Sequence, residues 1–152
     1  MDRRAAAFRL DVPARLLGAW EVSVESGCEG VSAGLASFEW VPGRQFILHR
    51  WTLDRHDAAD GVALIGADAS GQGYLLHSFD SHGVAQVFWM EFEDGTWSLE
   101  RTVGDFSPLV LARRFRASMS DDGTVIDGVW ESSPDAVTWT HESAVSYSRI
   151  GN

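Results

Sequence analysis

Short apolar and aromatic segments recur along this chain about every 10–14 residues, each bounded by Gly, Asp, Ser or Pro. That length and spacing predict short β-strands joined by tight turns. The predicted strands are Gly18–Glu25, Ser32–Val41, Phe46–Asp54, Val62–Ala67, Tyr74–Phe79, Val84–Glu93, Thr96–Val103, Ala112–Met119, Thr124–Glu131 and Val137–Ile150. Only Val12–Leu17, which Pro13 opens, predicts a short N-terminal helical turn.

The connections between these segments indicate the fold class. Asp94-Gly95 lies between two alternating segments, and an Asp-Gly pair is a strong hairpin signal because the turn requires positive φ. No helix-length segment separates the strands, which excludes a parallel βαβ sheet. A series of hairpins protects its edges best by closing on itself, whereas a sandwich needs longer crossover connections. We therefore predict an all-β protein, a single antiparallel up-and-down β-barrel of about eight to ten strands.

Length and composition limit the domain count and the class of partner. A chain of 152 residues is the size of one domain, which we divide into an N-terminal extension (1–15) and a barrel domain (16–152). The 22 acidic against 12 basic residues give a net charge of -10, which disfavours nucleic acid as a partner. The single Cys28 excludes an internal disulfide and any multi-cysteine metal site.

The hydropathy pattern indicates where the protein resides. No apolar run approaches the ~18 residues that a membrane-spanning helix requires, so we expect no membrane partner. The first residues, Met1–Phe8, lack the apolar core of an export signal. We therefore expect a cytoplasmic protein. The sequence also has no phosphate-cradling loop and no tandem metal motif, so we expect no cofactor.

Alternation along the strands predicts which side chains share a face. In the seventh predicted strand Trp97, Leu99 and Arg101 share one face. In the tenth, Trp139, His141, Ser143, Val145 and Tyr147 share another. The pattern leaves the third and sixth strands open, since Phe88 and Trp89 are both large apolar residues on opposite faces.

A series of short motifs gives the chain a family resemblance. It begins at Leu17-Gly18-Ala19-Trp20, a Gly-x-Trp opening, and ends with Val145-Ser146-Tyr147-Ser148-Arg149. Between them stand Phe38–Gly43, Phe46–Trp51, Ala63–Gly66, Tyr74–Gly83, Trp97–Arg101, Arg114-Phe115, Asp121–Glu131 and Trp139–Glu142. In this order they resemble a bacterial lipocalin-like family of unknown function in the calycin superfamily. The resemblance implies a barrel around a small-molecule cavity, and no catalytic mechanism.

The haem-binding nitrobindins have similar barrels, but this chain departs from their pattern at two places. The glycines that follow the opening tryptophan are replaced by Val22 and Val24. When the closing strands are aligned, the position of the nitrobindin haem-ligating histidine falls on Glu142 rather than His141. His141 would need a bulge or a different register to face the interior. These departures disfavour haem, and a haem-binding nitrobindin-like protein stays a less favoured alternative.

Polar residues within the predicted strands are candidates for orienting a ligand. An imidazole can donate and accept hydrogen bonds, and a guanidinium binds a carboxylate in bidentate fashion. Aromatic walls bind flat apolar ligands, although large rings also fill barrel cores. The alternatives for the polar residues are structural histidines and a surface pair of an arginine with Glu100 or Glu131. The candidate ligand-binding residues are His49, Trp51, His77, Trp89, Trp97, Arg101, Arg114, His141 and Tyr147.

Three functions are compatible with this pattern. The first is binding of a small, mainly apolar or aromatic molecule, which converging polar groups would orient. The second is an isomerase, cyclase or hydratase that uses a cavity histidine as general acid or base and Arg101 to hold negative charge. The third is a self-packed interaction module, and a homodimer is left open. We predict the first.

Overall fold

The computed structural model describes residues 10–27, 30–55, 58–101 and 112–151. A short 3₁₀ turn, Pro13–Leu16, precedes ten β-strands. The strands are β1 (Gly18–Ser26), β2 (Gly30–Trp40), β3 (Ile47–Leu53), β4 (Gly61–Ala67), β5 (Tyr74–Asp80), β6 (Ala85–Glu93), β7 (Thr96–Arg101), β8 (Ala112–Met119), β9 (Val125–Ser133) and β10 (Thr140–Arg149). None of the helices in these residues is long and apolar enough to cross a membrane.

The ten strands form a closed antiparallel barrel. Each strand pairs with its neighbours in sequence, and β10 returns to pair with β1, with Trp20 opposite Arg149. The turn at Asp94 and Gly95 has positive φ at both residues, 51° and 76°, as a tight hairpin requires. The predicted all-β, up-and-down barrel with one N-terminal turn is confirmed.

One predicted strand boundary differs from the structure, and another lies outside the described residues. The tenth strand begins at Thr140 instead of Val137, because the carboxylate of Asp135 accepts hydrogen bonds from the backbone N–H groups of Val137 and Thr138, both at 2.9 Å. Residues 134–139 are therefore a turn. The predicted end of the seventh strand at Val103 lies outside the described residues, as do Cys28 and positions 1–9.

One end of the barrel, which we call the closed end, is filled by Trp20 and the N-terminal turn. The indole N–H of Trp20 donates to the carbonyl of Leu16 at 2.9 Å, and both side chains are buried. The guanidinium of Arg149 lies 4.1 Å from the Trp20 ring centre and donates to the carbonyls of Arg15 and Gly123. The Gly-x-Trp opening thus supplies the ring that seals this end.

The buried core continues from the closed end to the middle of the barrel. Its side chains come from the inner faces of all ten strands and are almost completely inaccessible. They include Ile47, Ile65, Met90, Phe92 and Ile126. The opposite end, which we call the open end, is where β1, β3, β5, β7 and β9 finish and where the interior is hollow.

Candidate ligand-binding cavity

A cavity of about 340 Å³ occupies the half of the barrel next to the open end. At its rim lie Ser26, Leu53 and Asp80, the last residues of β1, β3 and β5. Its walls are mainly apolar and include aliphatic side chains such as those of Leu76 and Val145. Six aromatic residues of the wall stand on six different strands: Trp51, Phe88, Trp97, Phe115, Trp130 and Tyr147.

These rings contact one another and form a continuous aromatic wall. Trp97 meets Phe115 edge to face at 5.1 Å between ring centres, and Phe115 lies 5.0 Å from Trp130 at a tilt of 30°. Tyr147 stands 6.1 Å from Trp97 on another side. Packed rings of this kind hold one another in place. The wall therefore presents preformed flat surfaces to the cavity.

His49 is a buried polar residue in this wall. It stands on β3, is 7% exposed, and stacks on Phe38 with ring centres 4.0 Å apart and planes within 7°. Burial lowers the pKa of His49 from 6.5 to about 3, because desolvation disfavours the imidazolium. His49 is therefore neutral at physiological pH.

Three buried side-chain atoms have no hydrogen-bond partner within the described part of the chain: His49 Nε2, Gln86 Nε2 and Trp97 Nε1. All three residues line the cavity. The orientation of the Gln86 amide is fixed because its oxygen accepts from Arg113, which can only donate. Since an unpaired buried polar group costs about 1–3 kcal/mol, three such atoms in one cavity indicate that it takes a ligand with polar atoms.

Arg113 spans the open end of the cavity, and sequence reasoning missed it. From β8 its Nη1 donates to Gln86 Oε1 on β6 at 2.7 Å. Its Nε and Nη2 donate to the two carboxylate oxygens of Glu142 on β10, at 3.2 and 2.7 Å. The guanidinium also lies 4.3 Å from the ring centre of Trp130. Arg113 thereby links three strands across the mouth.

Four of the nine predicted ligand-binding residues line the cavity: His49, Trp51, Trp97 and Tyr147. Burial raises the pKa of Tyr147 far above its usual value, so its hydroxyl stays protonated and can donate. Whether these four contact a ligand stays a prediction.

Two predicted residues point away from the interior. His77 is exposed on the outside of the barrel, because its neighbours Leu76 and Ser78 on β5 face the cavity. Trp89 is also outside, and its indole N–H donates to the Glu91 carboxylate at 3.3 Å. The expectation that His77 and Trp89 border the cavity was wrong.

The two predicted arginines do not line the cavity either. Arg114 lies outside, where it pairs with Glu131 at 2.9 Å and stacks 3.9 Å from the ring centre of Trp139. This is the surface pair with Glu131 that the sequence left open as the alternative role of Arg114. Arg101 stands opposite Phe88, at an inward register position, but is half-buried and outside the cavity wall.

A bulge in β10 explains the position of His141. The pairing with β9 shifts between His141 and Ser143, so that Glu142 is the extra residue. Glu142 and Ser143 line the cavity, whereas His141 is exposed. The predicted alternation therefore holds from Ser143 to Tyr147 and fails on the N-terminal side of the bulge. The prediction that Trp139 and His141 share a face with these residues was wrong.

The bulge bears on haem, because it turns Glu142 and not a histidine toward the interior at the position of the nitrobindin ligand. In the part of the chain that the structure describes, His49 is the histidine that lines the cavity, and no group of three His, Cys, Asp or Glu residues could hold a metal ion.

Sequence reasoning also missed Gln86, Phe88, Phe115 and Glu142 on the wall. A signal for Arg113 was present in the alternation. Phe115, Ala117 and Met119 are buried on one face of β8, and Arg113 is in the same phase. Glu142 carried no such signal, because the bulge reverses the phase locally.

Comparison with known proteins supports the fold alone. No protein-family model matches the chain, and no curated protein matches it. The crystal structure of Rv2717c from M. tuberculosis is similar, with a TM-score of 0.65 at 13% identity over 94% of this chain and 98% of that one. A de novo designed fluorescence-activating β-barrel has a TM-score of 0.47 at 13% identity, over 91% of this chain and 97% of that one. At such identity the first likeness shows a shared barrel architecture.

Proposed function

We propose that the protein binds a small, flat, mainly apolar molecule in the cavity, and that this molecule accepts a hydrogen bond from Trp97. The volume of about 340 Å³ is near the lower end of the range for ligand sites, ~300–1,000 Å³. The aromatic wall offers stacking surfaces for a ring system of two or three fused rings. The calycin resemblance, which implies a small-molecule cavity, agrees with this function.

The observation that carries the proposal is the set of three unpartnered polar atoms on the cavity wall. The indole N–H of Trp97 and the amide N–H₂ of Gln86 are donors, so they require acceptors such as a carbonyl or ether oxygen. His49, neutral through its lowered pKa, can donate to or accept from the same molecule. Each pairing would remove a cost of about 1–3 kcal/mol.

Binding accounts for the geometry better than catalysis does. The enzymatic interpretation needs a basic histidine and Arg101 at one enclosed polar point. The pKa of His49, about 3, makes its ring a weak base at neutral pH, and Arg101 is not part of the cavity wall.

Isothermal titration calorimetry with neutral aromatic ketones and quinones, 2-acetylnaphthalene first, tests the proposal. We expect saturable binding of one molecule per chain. Trp97→Phe removes one donor and keeps a ring, so we expect binding to weaken about 5–10-fold. The matched control is Trp89→Phe on the outer face, which should leave the affinity unchanged.

Saturable binding to none of these compounds would contradict the proposal. So would binding that Trp89→Phe weakens as much as Trp97→Phe does, since the ligand would then lie outside the barrel.

A further inference from the structure

Three described residues of the cavity wall carry formal charge: Asp80, Arg113 and Glu142. Two carboxylates and one guanidinium leave the wall with one net negative charge. The Asp80 carboxylate accepts hydrogen bonds from the backbone N–H groups of His82 and Val84, at 2.9 and 3.0 Å, in the turn that follows β5. Among the described residues that line the cavity, Arg113 is therefore the cation that an anionic ligand could use.

Glu142 already occupies the edge of Arg113 that binds carboxylates. The two-point contact of Nε and Nη2 with Oε2 and Oε1 is the bidentate arrangement in which arginine binds a ligand carboxylate. Nη1 is engaged by Gln86, and Trp130 covers a face of the guanidinium. The Arg113 side chain is 21% exposed and that of Glu142 is 37% exposed, so the pair lies at the cavity mouth and solvent screens it in part.

We propose that Glu142 determines ligand specificity by making the cavity select uncharged molecules over carboxylates of the same shape. This inference rests on the proposed function and names the charge class of its ligand. An entering carboxylate would meet a neutralised cation and a second negative charge beside it, and it would lose its hydration without gaining a partner. A neutral ketone loses little hydration and still finds a donor in the Trp97 indole N–H.

The β10 bulge is what delivers Glu142 to this position. Without the extra residue, strict alternation from Ser143 would turn position 142 to the outside. Bulges often redirect a side chain beside a functional site. Here the bulge places at the cavity mouth a carboxylate that Arg113 holds in position.

The test compares two nearly isosteric probes, neutral 2-acetylnaphthalene and anionic 2-naphthoate, by isothermal titration calorimetry. Wild-type protein should bind the ketone at least about tenfold more tightly than the carboxylate. Glu142→Gln keeps the side-chain shape and removes the charge. It should tighten 2-naphthoate binding at least about tenfold relative to ketone binding.

Glu131→Gln is the matched control. It removes the same charge from a similar arginine pair, Arg114–Glu131, on the outside of the barrel. The control changes the net charge of the protein equally, so we expect it to leave the ratio of the two affinities at its wild-type value. A long-range effect of net charge would instead change the ratio of the two affinities equally in Glu142→Gln and Glu131→Gln.

The outcomes separate this inference from the proposed function. If wild type binds both probes equally, or Glu142→Gln leaves the ratio unchanged, charge selection by Glu142 is overturned while ligand binding stands. An equal change in both variants also overturns it. If neither probe binds wild type or Glu142→Gln, the proposed function fails, and the inference fails with it.

Discussion

His49 combines two roles that usually conflict, since it is both a core residue and a polar group on the cavity wall. Its ring stacks on Phe38 and lies 5.1 Å from Trp51, so it packs like an aromatic side chain. Because Nε2 has no hydrogen-bond partner within the described residues, burial alone lowers its pKa to about 3. The barrel tolerates this histidine only in its neutral form.

The lowered pKa of His49 predicts a loss of stability in acid. In the unfolded chain the imidazole takes up a proton below pH 6.5, whereas in the folded protein it stays neutral down to about pH 3. The contribution of His49 to the free energy of unfolding is therefore fully present above pH 6.5. It falls as the pH drops, by about 2–3 kcal/mol at pH 4.5. Urea unfolding at pH 7.5 and 4.5 measures this difference.

His49→Phe keeps the ring and removes the titration, so this variant should lose about 2–3 kcal/mol less than wild type between the two pH values. His77→Phe is the control, because His77 is exposed, and its stability should fall as the wild type's does. An unchanged acid sensitivity in His49→Phe would show that other groups cause it.

At the scale of strands, Gly61 determines where Trp51 lies. The two residues are direct partners across β3 and β4. A Cβ added at Gly61 would stand 2.2 Å from the Trp51 indole and 2.8 Å from the Phe79 carbonyl oxygen. The indole N–H of Trp51 donates to Ala59 at 3.1 Å. The missing side chain of Gly61 thus leaves room for a wall residue of the cavity.

We expect Gly61→Ala to destabilise the protein by about 1–3 kcal/mol, because the indole must move from its position. In a Trp51→Val background the same substitution should cost at least about 1 kcal/mol less, because the larger steric conflict is gone. Urea unfolding of the four proteins of this cycle gives the coupling energy. If the free-energy costs of Gly61→Ala and Trp51→Val are additive, the assigned contact between the two residues is contradicted.

Strand alternation predicted part of this arrangement and missed part for physical reasons. In β7, Trp97 and Leu99 face inward as the pattern predicts. In β6 both faces carry large apolar residues, so composition alone could not distinguish Phe88 from Trp89, and their positions depend on pairing with β5 and β7. The β10 bulge is a backbone irregularity that no side-chain pattern in β10 announces.

On the scale of the whole molecule, the barrel is asymmetric along its axis. Among the described residues, Trp20, Leu16 and Arg149 seal the closed end, whereas Arg113 and Glu142 bridge the open end. Turn spacing predicted that the strands form one antiparallel meander. The sequence does not show which end is filled, because Leu16 and Arg149 are far apart along the chain. They meet only when β10 pairs with β1 and the barrel closes.

The hydrogen bonding of the indole groups tests the central claim most directly. Trp20, Trp51 and Trp89 donate to protein acceptors, whereas Trp97 Nε1 has no partner in the described structure. In ¹H–¹⁵N correlation spectra, assigned with Trp→Phe variants, saturating 2-acetylnaphthalene should shift the Trp97 indole proton downfield more than those of Trp20 and Trp89. A bound ligand that leaves the Trp97 signal in place, or that shifts Trp89 most, would contradict binding inside the barrel.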